Sequence, residues 1–201
     1  MTRTIGSARR SRNLRPSSRT LAIFGDGESE ERYFQGFRGR DPALRVRPVA
    51  VRKTGVHAVL KQVDGVVRES GLDIKGGDRV AIVMDVDYYT EEEIGDMLIQ
   101  CDRRGYELYL SNPCFEVWLI LHFRDFGKET DPKELVGLIS SAMGREYRKS
   151  QGIDWNDAML KRALRNAHSI QGREECTVDW CYHRNPSTMV HVLVESMAIE
   201  G

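Results

Sequence analysis

Acidic side chains follow three apolar, strand-like runs of this 201-residue chain or open the helices after them. They are Asp26, Glu30, Asp85, Asp87 and Glu116. In an open parallel sheet, functional groups lie just past the carboxyl ends of the strands, so we expect these carboxylates to share one edge. Carboxylates gathered at one edge repel each other unless a divalent cation neutralises them. The sequence therefore predicts a metal site, for Mg²⁺ or Mn²⁺.

Asp85 and Asp87 stand two residues apart at the end of an apolar run. If the strand continues, both aspartates point to the same face and Val86 points to the other. Mg²⁺ takes one or two carboxylates together with water and substrate phosphate, which suits such a pair. The alternative is a strand-end turn in which an aspartate only caps the next helix.

Asp26 ends the first strand-like run, and Gly27 after it allows a sharp turn into a helix that holds Glu30 in its first turn. Glu30 and its acidic neighbours would also complement the helix dipole, which accounts for them without a site. Capping accounts less well for Asp26. In a doubly wound sheet the first and third strands are neighbours, which would bring Asp26 beside Asp85.

Glu116 belongs to a segment that we expect to form a helix over 113–123, with Asn112 as N-cap and Pro113 at the first helical position. That helix is apolar nearly all round and is therefore expected to be buried. A carboxylate inside it needs a metal, a base or a hydrogen-bond donor. A site role is one interpretation, and a buried structural pair with an arginine is the other.

Basic residues form a stripe in the second half of the chain. Lys161, Arg165 and His168 have the spacing of one helix face, and Lys149 lies in the loop before that helix. A basic stripe is usually a solvated face. Opposite an acidic metal site, however, Lys149, Lys161 and Arg165 would bind a nucleic-acid backbone.

The elements that must position these residues alternate between strand and helix. The predicted strands are residues 20–25, 45–51, 79–84 and 106–110. This order predicts an α/β fold, a doubly wound, mostly parallel sheet of about four strands with helices on both faces. The second half is expected to be mainly helical, at 113–123, 131–143, 157–171 and 186–198. In the last of these helices we expect Asn185 as the N-cap and His191 facing outward. We expect one domain over 20–201, with a sheet core at 20–123 and a helical extension at 124–201.

Residues 1–19 hold six arginines and no acid, so the zero net charge of the chain hides an acidic body. The arginines are Arg3, Arg9, Arg10, Arg12, Arg15 and Arg19. We expect a disordered basic arm, which attracts a phosphate backbone or an acidic partner, or else serves only as a solubilising tail.

The four cysteines show no CxxC pair, and no run of about 18 apolar residues predicts a membrane span. Reduced thiols in a cytoplasmic protein are therefore expected. Cys176, Cys181 and His183 have a poor spacing for zinc, which is the weaker alternative.

Taken together, these clusters resemble the RloB-like family, whose members carry a Toprim-type domain. The matching segments are the Arg-rich start, residues 26–30 with Tyr33 and Phe34, residues 85–87, residues 111–119, and residues 185–188 with His191. The most specific of them is Ser111-Asn112-Pro113-Cys114-Phe115-Glu116, followed by Val117-Trp118-Leu119.

The resemblance implies a Toprim-like sheet, a Mg²⁺-dependent phosphoryl-transfer centre and a bacterial defence setting with an ABC-type or AAA-type ATPase encoded nearby. Toprim domains carry a glutamate after the first strand, as metal ligand or general acid/base, where this chain has Asp26. The second Toprim motif corresponds to Asp85 and Asp87, the expected metal ligands. Asp26 or Glu30 would complete the metal shell, and Glu116 would orient the attacking water or bind a second ion.

Three functions remain open at this point. The first is a nuclease acting on DNA or RNA as the effector of an antiphage system. The second is a non-catalytic sensor or regulatory subunit that docks on the ATPase. The third, less favoured, is a phosphatase with Asp85 as nucleophile. The sequence leaves the oligomeric state open.

Overall fold

A computed structural model describes residues 18–52 and 55–199 of the chain. Its sheet has five strands in the order β2-β1-β3-β4-β5, all parallel except the last pair. The strands are β1 (Arg19–Gly25), β2 (Leu44–Ala50), β3 (Arg79–Asp85), β4 (Glu107–Asn112) and β5 (Ser187–Thr188). The predicted α/β class is thereby confirmed, as is the pairing of the first and third strands.

Eight helices and one 3₁₀ turn (Val86–Tyr88) surround this sheet in the part of the chain just described. The helices are α1 (Glu28–Gln35), α2 (Val56–Ser70), α3 (Glu91–Arg104), α4 (Glu116–Ile120), α5 (Pro132–Met143), α6 (Asp157–Gln171), α7 (Val178–His183) and α8 (Val190–Ile199). None of them is long and apolar enough to cross a membrane.

The position of each strand in the sheet follows from its side-chain pattern. The inner strands β1 and β3 are nearly continuous apolar runs because both of their faces are buried. The strand β2 alternates buried and exposed residues, and its Pro48, which cannot donate to a ladder, lies at the sheet edge as expected. Buried side chains from both the predicted sheet core and the predicted extension join one hydrophobic cluster.

Two asparagines that were expected to cap helices connect distant segments of the chain instead. Asn112 ends β4, and its amide donates to the carbonyls of Cys181 and Tyr182 on α7. Asn185 exchanges two hydrogen bonds with the backbone of Thr130. The helices α4 and α8 begin only at Glu116 and Val190. Those N-cap predictions were wrong because proline after asparagine fits a turn as well as a helix start.

His191 was expected to face outward, and this prediction was also wrong. Its side chain is buried, and Nε2 lies 2.9 Å from Oε1 of Gln171 on α6. Of the predicted basic arm, Arg19 begins β1, whereas residues 1–17 lie outside the described residues.

Candidate metal centre

A cleft of about 600 Å³ opens at the carboxyl ends of β1 and β3. Its lining residues are Asp26, Gly27, Glu30, Gly55, Asp85, Tyr88, Tyr89, Glu93 and Lys149. β1 and β3 are adjacent, and in their register Gly25 is opposite Val83, so the two strands end side by side. The sheet therefore brings the predicted residues Asp26, Glu30 and Asp85 to one place.

Glu30 reaches this cleft because α1 crosses the end of β1 at very close range. A Cβ atom at position 25 would overlap Cβ of Glu30, so only glycine fits at the last position of β1. Glu30 is consequently buried, with 3% of its surface exposed. Burial is the main cause that raises the Glu30 pKa to about 7, and the charges of Glu116 and Asp26 add to it.

Asp85 is the last residue of β3 and is buried. Its Oδ1 accepts a hydrogen bond from the Phe115 backbone N–H at 2.8 Å, just before α4. Burial raises the pKa of Asp85 well above its ordinary range, and the charges of Glu30 and Glu116 raise it further. A buried acid in such surroundings is a candidate functional residue.

Asp87 lies in the 3₁₀ turn after β3 and is exposed, so it does not share a strand face with Asp85. The expectation of a continuing strand was wrong because the chain turns at Val86, where the strand pairing stops. Asp87 still interacts with the cleft. After burial, its charge is the next cause that raises the pKa of Asp26, which reaches about 6.

Glu116 is the most enclosed acid of the group, with 1% of its surface exposed. Its Oε1 accepts hydrogen bonds from the Ser29 and Tyr147 hydroxyls, each at 3.0 Å, and lies 3.4 Å from Nζ of Lys149. Its Oε2 is buried and has no hydrogen-bond partner among the described residues. The expected partner was an arginine or a metal. The structure supplies a lysine and two hydroxyls for Oε1, and the part of the chain that it describes supplies no partner for Oε2.

Tyr147 and Lys149 come from the loop between α5 and α6, residues 144–156. Burial alone would lower the Lys149 pKa, but the charges of Glu116 and Asp85 outweigh it and raise the pKa above its ordinary value. Lys149 therefore remains a cation that faces the carboxylates. The other two residues predicted to bind nucleic acid, Lys161 and Arg165, are exposed on α6 and do not line the cleft.

Residues 21–197 match the family model described as RloB-like protein. The chain belongs to the RloB-like family. No curated protein and no solved structure matches it.

The acids of this RloB-like chain suit a hard divalent cation. The acidic side chains that line the cleft offer only oxygen ligands. Burial and neighbouring acids raise the pKa values of Asp26, Glu30 and Asp85. The buried Oε2 of Glu116 is a further acceptor, without a hydrogen-bond partner among the described residues. Asp26, Asp85 and Asp87 are the residues that would hold the ion.

The carboxylates around the cleft are spaced openly rather than as a closed cage. Among the described residues, only Glu91, Asp179 and His183 bring three ligand atoms within 4.8 Å of one another, and all three are exposed on the surface. Mg²⁺ keeps several water ligands and binds through one or two carboxylates, so it would not need such a group. Cys176 and Cys181 do not join His183 in that group.

Two contributors to the site, Ser29 and Tyr147, were missed by sequence reasoning. Their hydroxyls lie 3.0 Å apart although the residues are 118 positions apart in the chain. The only local signal was Ser29 itself, inside the acidic cluster after β1. Nothing in the pattern of the loop 144–156 indicates that it returns to the sheet edge.

Proposed function

We propose that this RloB-like chain is a divalent-metal-dependent nuclease that hydrolyses phosphodiester bonds. One observation carries the proposal: Asp26, Glu30 and Asp85 line a cleft at the carboxyl ends of parallel strands, beside a buried Glu116 oxygen with no hydrogen-bond partner in the described ranges 18–52 and 55–199. Acids with raised pKa values in a cleft are characteristic of catalytic sites. The setting that we propose is bacterial antiphage defence in the cytoplasm, together with an ATPase encoded nearby.

Each residue has a role in this proposal. A bound Mg²⁺ or Mn²⁺ supplies Lewis-acid polarisation of the phosphate and a lower pKa for its water ligand. Asp85, Asp87 and Asp26 hold that ion. Glu30, with a pKa of about 7, is suited to accept a proton from the attacking water near neutral pH. Lys149, a cation at the cleft, binds a non-bridging phosphate oxygen.

Glu116 positions the water and the lysine in this scheme rather than reacting itself. Its Oε1 already accepts from two hydroxyls and pairs with Lys149, which fixes the carboxylate. Its Oε2, which has no partner among the described residues, is then the atom that would accept a hydrogen bond from the attacking water. The hydrogen bonds of Ser29 and Tyr147 therefore support the site without contacting substrate.

The experiment is cleavage of plasmid DNA and of tRNA by the full chain with Mg²⁺ or Mn²⁺. Asp85→Asn removes the charge while keeping the size of the side chain, and we expect it to abolish cleavage. Glu107→Gln, an acid at the opposite end of the sheet, is the matched control and should cleave like wild type. Equal cleavage by wild type and Asp85→Asn would contradict the proposal.

A second candidate function is a non-catalytic regulatory subunit that docks on the ATPase. The observation that favours it is the ion pair between Lys149 and Glu116, which already places a cation beside the acids. Asp26, whose side chain is one methylene shorter than the glutamate of Toprim domains, also favours this second function. Calorimetric titration with Mg²⁺ separates the two functions. A docking subunit should show no binding that depends on Asp85, whereas the nuclease should.

A further inference from the structure

Tyr88 is an aromatic side chain held in the open at the mouth of the carboxylate cleft. It lines the cleft with Asp26 and Asp85, and 67% of its surface is exposed. Among the described residues, only Tyr88 and Ile99 are large apolar side chains with high exposure, and Ile99 lies on α3 outside the cleft lining. The exposed Tyr88 ring, beside a cluster of buried acids, lies where it can contact a ligand of the cleft.

The backbone holds Tyr88 in this position. The 3₁₀ turn Val86–Tyr88 is fixed by a hydrogen bond from the Asp87 N–H to the Pro113 carbonyl at 3.2 Å and by one from the Tyr89 N–H to the Val86 carbonyl at 3.1 Å. Tyr89, next in the chain, is buried in the core. The turn therefore directs Tyr89 into the core and Tyr88 towards solvent, so that Tyr89 alone of the two contributes to packing.

The chemistry of a nucleic-acid strand gives the exposed ring a ligand. A phosphodiester bound by the acids, a metal and Lys149 carries a base on either side, within reach of the cleft rim. Aromatic side chains stack on bases irrespective of sequence, because every base has a π-face. Bases inside a continuous duplex already stack on each other and offer only their edges to a protein. The ring can thus engage only an unpaired base.

We propose that Tyr88 is a stacking platform for an unpaired base beside the phosphodiester held in the carboxylate cleft. The substrate class is then single-stranded DNA or RNA, or the loop of a folded strand, and not a continuous duplex. This inference rests on the proposed nuclease function and specifies its substrate.

The test uses the fluorescence of 2-aminopurine, a base analogue whose emission is quenched by stacking, placed in short oligonucleotides. Single-stranded DNA, single-stranded RNA and the matched duplexes are titrated with the full chain in Ca²⁺. We expect wild type and Tyr88→Phe to quench the single strands, and Tyr88→Ala to lose the quenching and bind about tenfold more weakly. Ile99→Ala removes the other exposed apolar side chain and should behave like wild type.

Cleavage of the same strands in Mg²⁺ tests the nuclease function separately from the stacking role of Tyr88. Cleavage by wild type together with unchanged quenching and affinity in Tyr88→Ala would overturn the stacking role and leave the nuclease standing. Equal binding of duplex and single strand would overturn the substrate class. If wild type neither binds nor cleaves any of the strands, the nuclease proposal fails and the stacking role fails with it. Circular dichroism of Tyr88→Ala confirms that the exposed substitution leaves the fold intact.

Discussion

A partly or fully buried acid lies near each end of the paired strands β3 and β4, and the two ends differ in the hydrogen bonds that this acid accepts. At the amino ends, Glu107 accepts two hydrogen bonds from the Arg79 guanidinium, both at 2.8 Å, and one from the Tyr109 hydroxyl at 2.7 Å. At the carboxyl ends, Asp85 accepts a backbone hydrogen bond, and one oxygen of Glu116 has no partner in the described part of the chain.

The pKa values follow the same division. Burial raises the pKa of Glu107, but hydrogen bonds from Arg79 and Tyr109 outweigh it and lower the pKa below its ordinary value. Burial also raises the pKa of Asp85, and the neighbouring acids Glu30 and Glu116 raise it further. The amino ends of the strands are thus stabilised by their own charges. The carboxyl ends are destabilised by repulsion among their acids until a cation binds.

The largest expected effects, on cleavage and on stability, come from neutralising one acid at each end of the sheet. Asp85→Asn should reduce metal-dependent cleavage by at least about 100-fold, since loss of a ligand exceeds the loss of a supporting residue. Glu107→Gln should leave cleavage unchanged but lower the free energy of unfolding by about 1–3 kcal/mol, because it breaks a charge-assisted pair. Initial cleavage rates and urea unfolding measure the two effects. The comparison breaks down if Glu107→Gln lowers activity or Asp85→Asn lowers only stability.

Metal binding should stabilise the protein only through the acids at the carboxyl ends of the strands. At 100 times its dissociation constant, Mg²⁺ should stabilise wild type by about 2.7 kcal/mol, a rise in Tm of about 5–10 °C for a domain of this size. Asp85→Asn should lose this rise, whereas Glu107→Gln should keep it from a lower starting Tm. Thermal unfolding with EDTA and with Mg²⁺ provides the measurement, and the same rise in all three proteins would place the ion elsewhere.

Asp26 and Glu30 should make the metal-free fold less stable as the pH rises. The pKa values of Asp26 and Glu30 are raised from 3.8 and 4.5 to about 6 and about 7. Between their unfolded and folded pKa values the native state keeps protons that the unfolded chain releases, so these groups destabilise the fold increasingly from about pH 4 to about pH 7. The buried His122 and His191 act in the opposite direction, because burial lowers their pKa values to about 4. Both histidines are present in a variant with Asp26→Asn and Glu30→Gln, so the Tm of wild type in EDTA should fall relative to that of this variant over the window.

Two changes should flatten that pH dependence. Asp26→Asn with Glu30→Gln removes the titrating groups, and Mg²⁺ favours their ionised forms. Glu107→Gln should not flatten it, since Glu107 has a lowered pKa. A difference in Tm in EDTA between wild type and the double variant that stays constant from about pH 5 to about pH 7 would count against the raised values.

The smallest expected effect separates the basic residues of the cleft from those of α6. Lys149→Gln should weaken oligonucleotide binding about tenfold and reduce the salt dependence by about one charge. Lys161→Gln with Arg165→Gln, exposed on α6, should change affinity by about threefold or less. Fluorescence anisotropy at several salt concentrations tests both, and a larger effect from the α6 pair would restore the sequence-based prediction for that helix.

Much of the fold was predictable because its signals are local. The helix predicted at 157–171 has those bounds, since Asn156 caps its first turn by accepting from the Met159 N–H. The adjacency of β1 and β3 followed from the doubly wound order. The strand β5 was missed because two residues show no periodicity, and its pairing depends on the distant strand β4.

The site was predictable only where topology or composition determined it. Sheet order brought Asp26 towards Asp85, and the apolar surroundings of Glu116 indicated its burial. The contacts that tune the site were hidden, because Ser29 and Tyr147 meet across 118 positions. Such contacts are visible only in the folded structure, since no pattern within either segment specifies its distant partner.

The loop that carries Tyr147 and Lys149 also has a consequence for biosynthesis. A nascent fragment that ends before residue 147 contains Glu116 but not the phenol and ammonium groups that hold its Oε1. With translation adding about 5–20 residues per second, the amino-terminal strands emerge seconds before these partners do. The chain on the ribosome therefore passes through an interval in which its acids are present but their final arrangement is not.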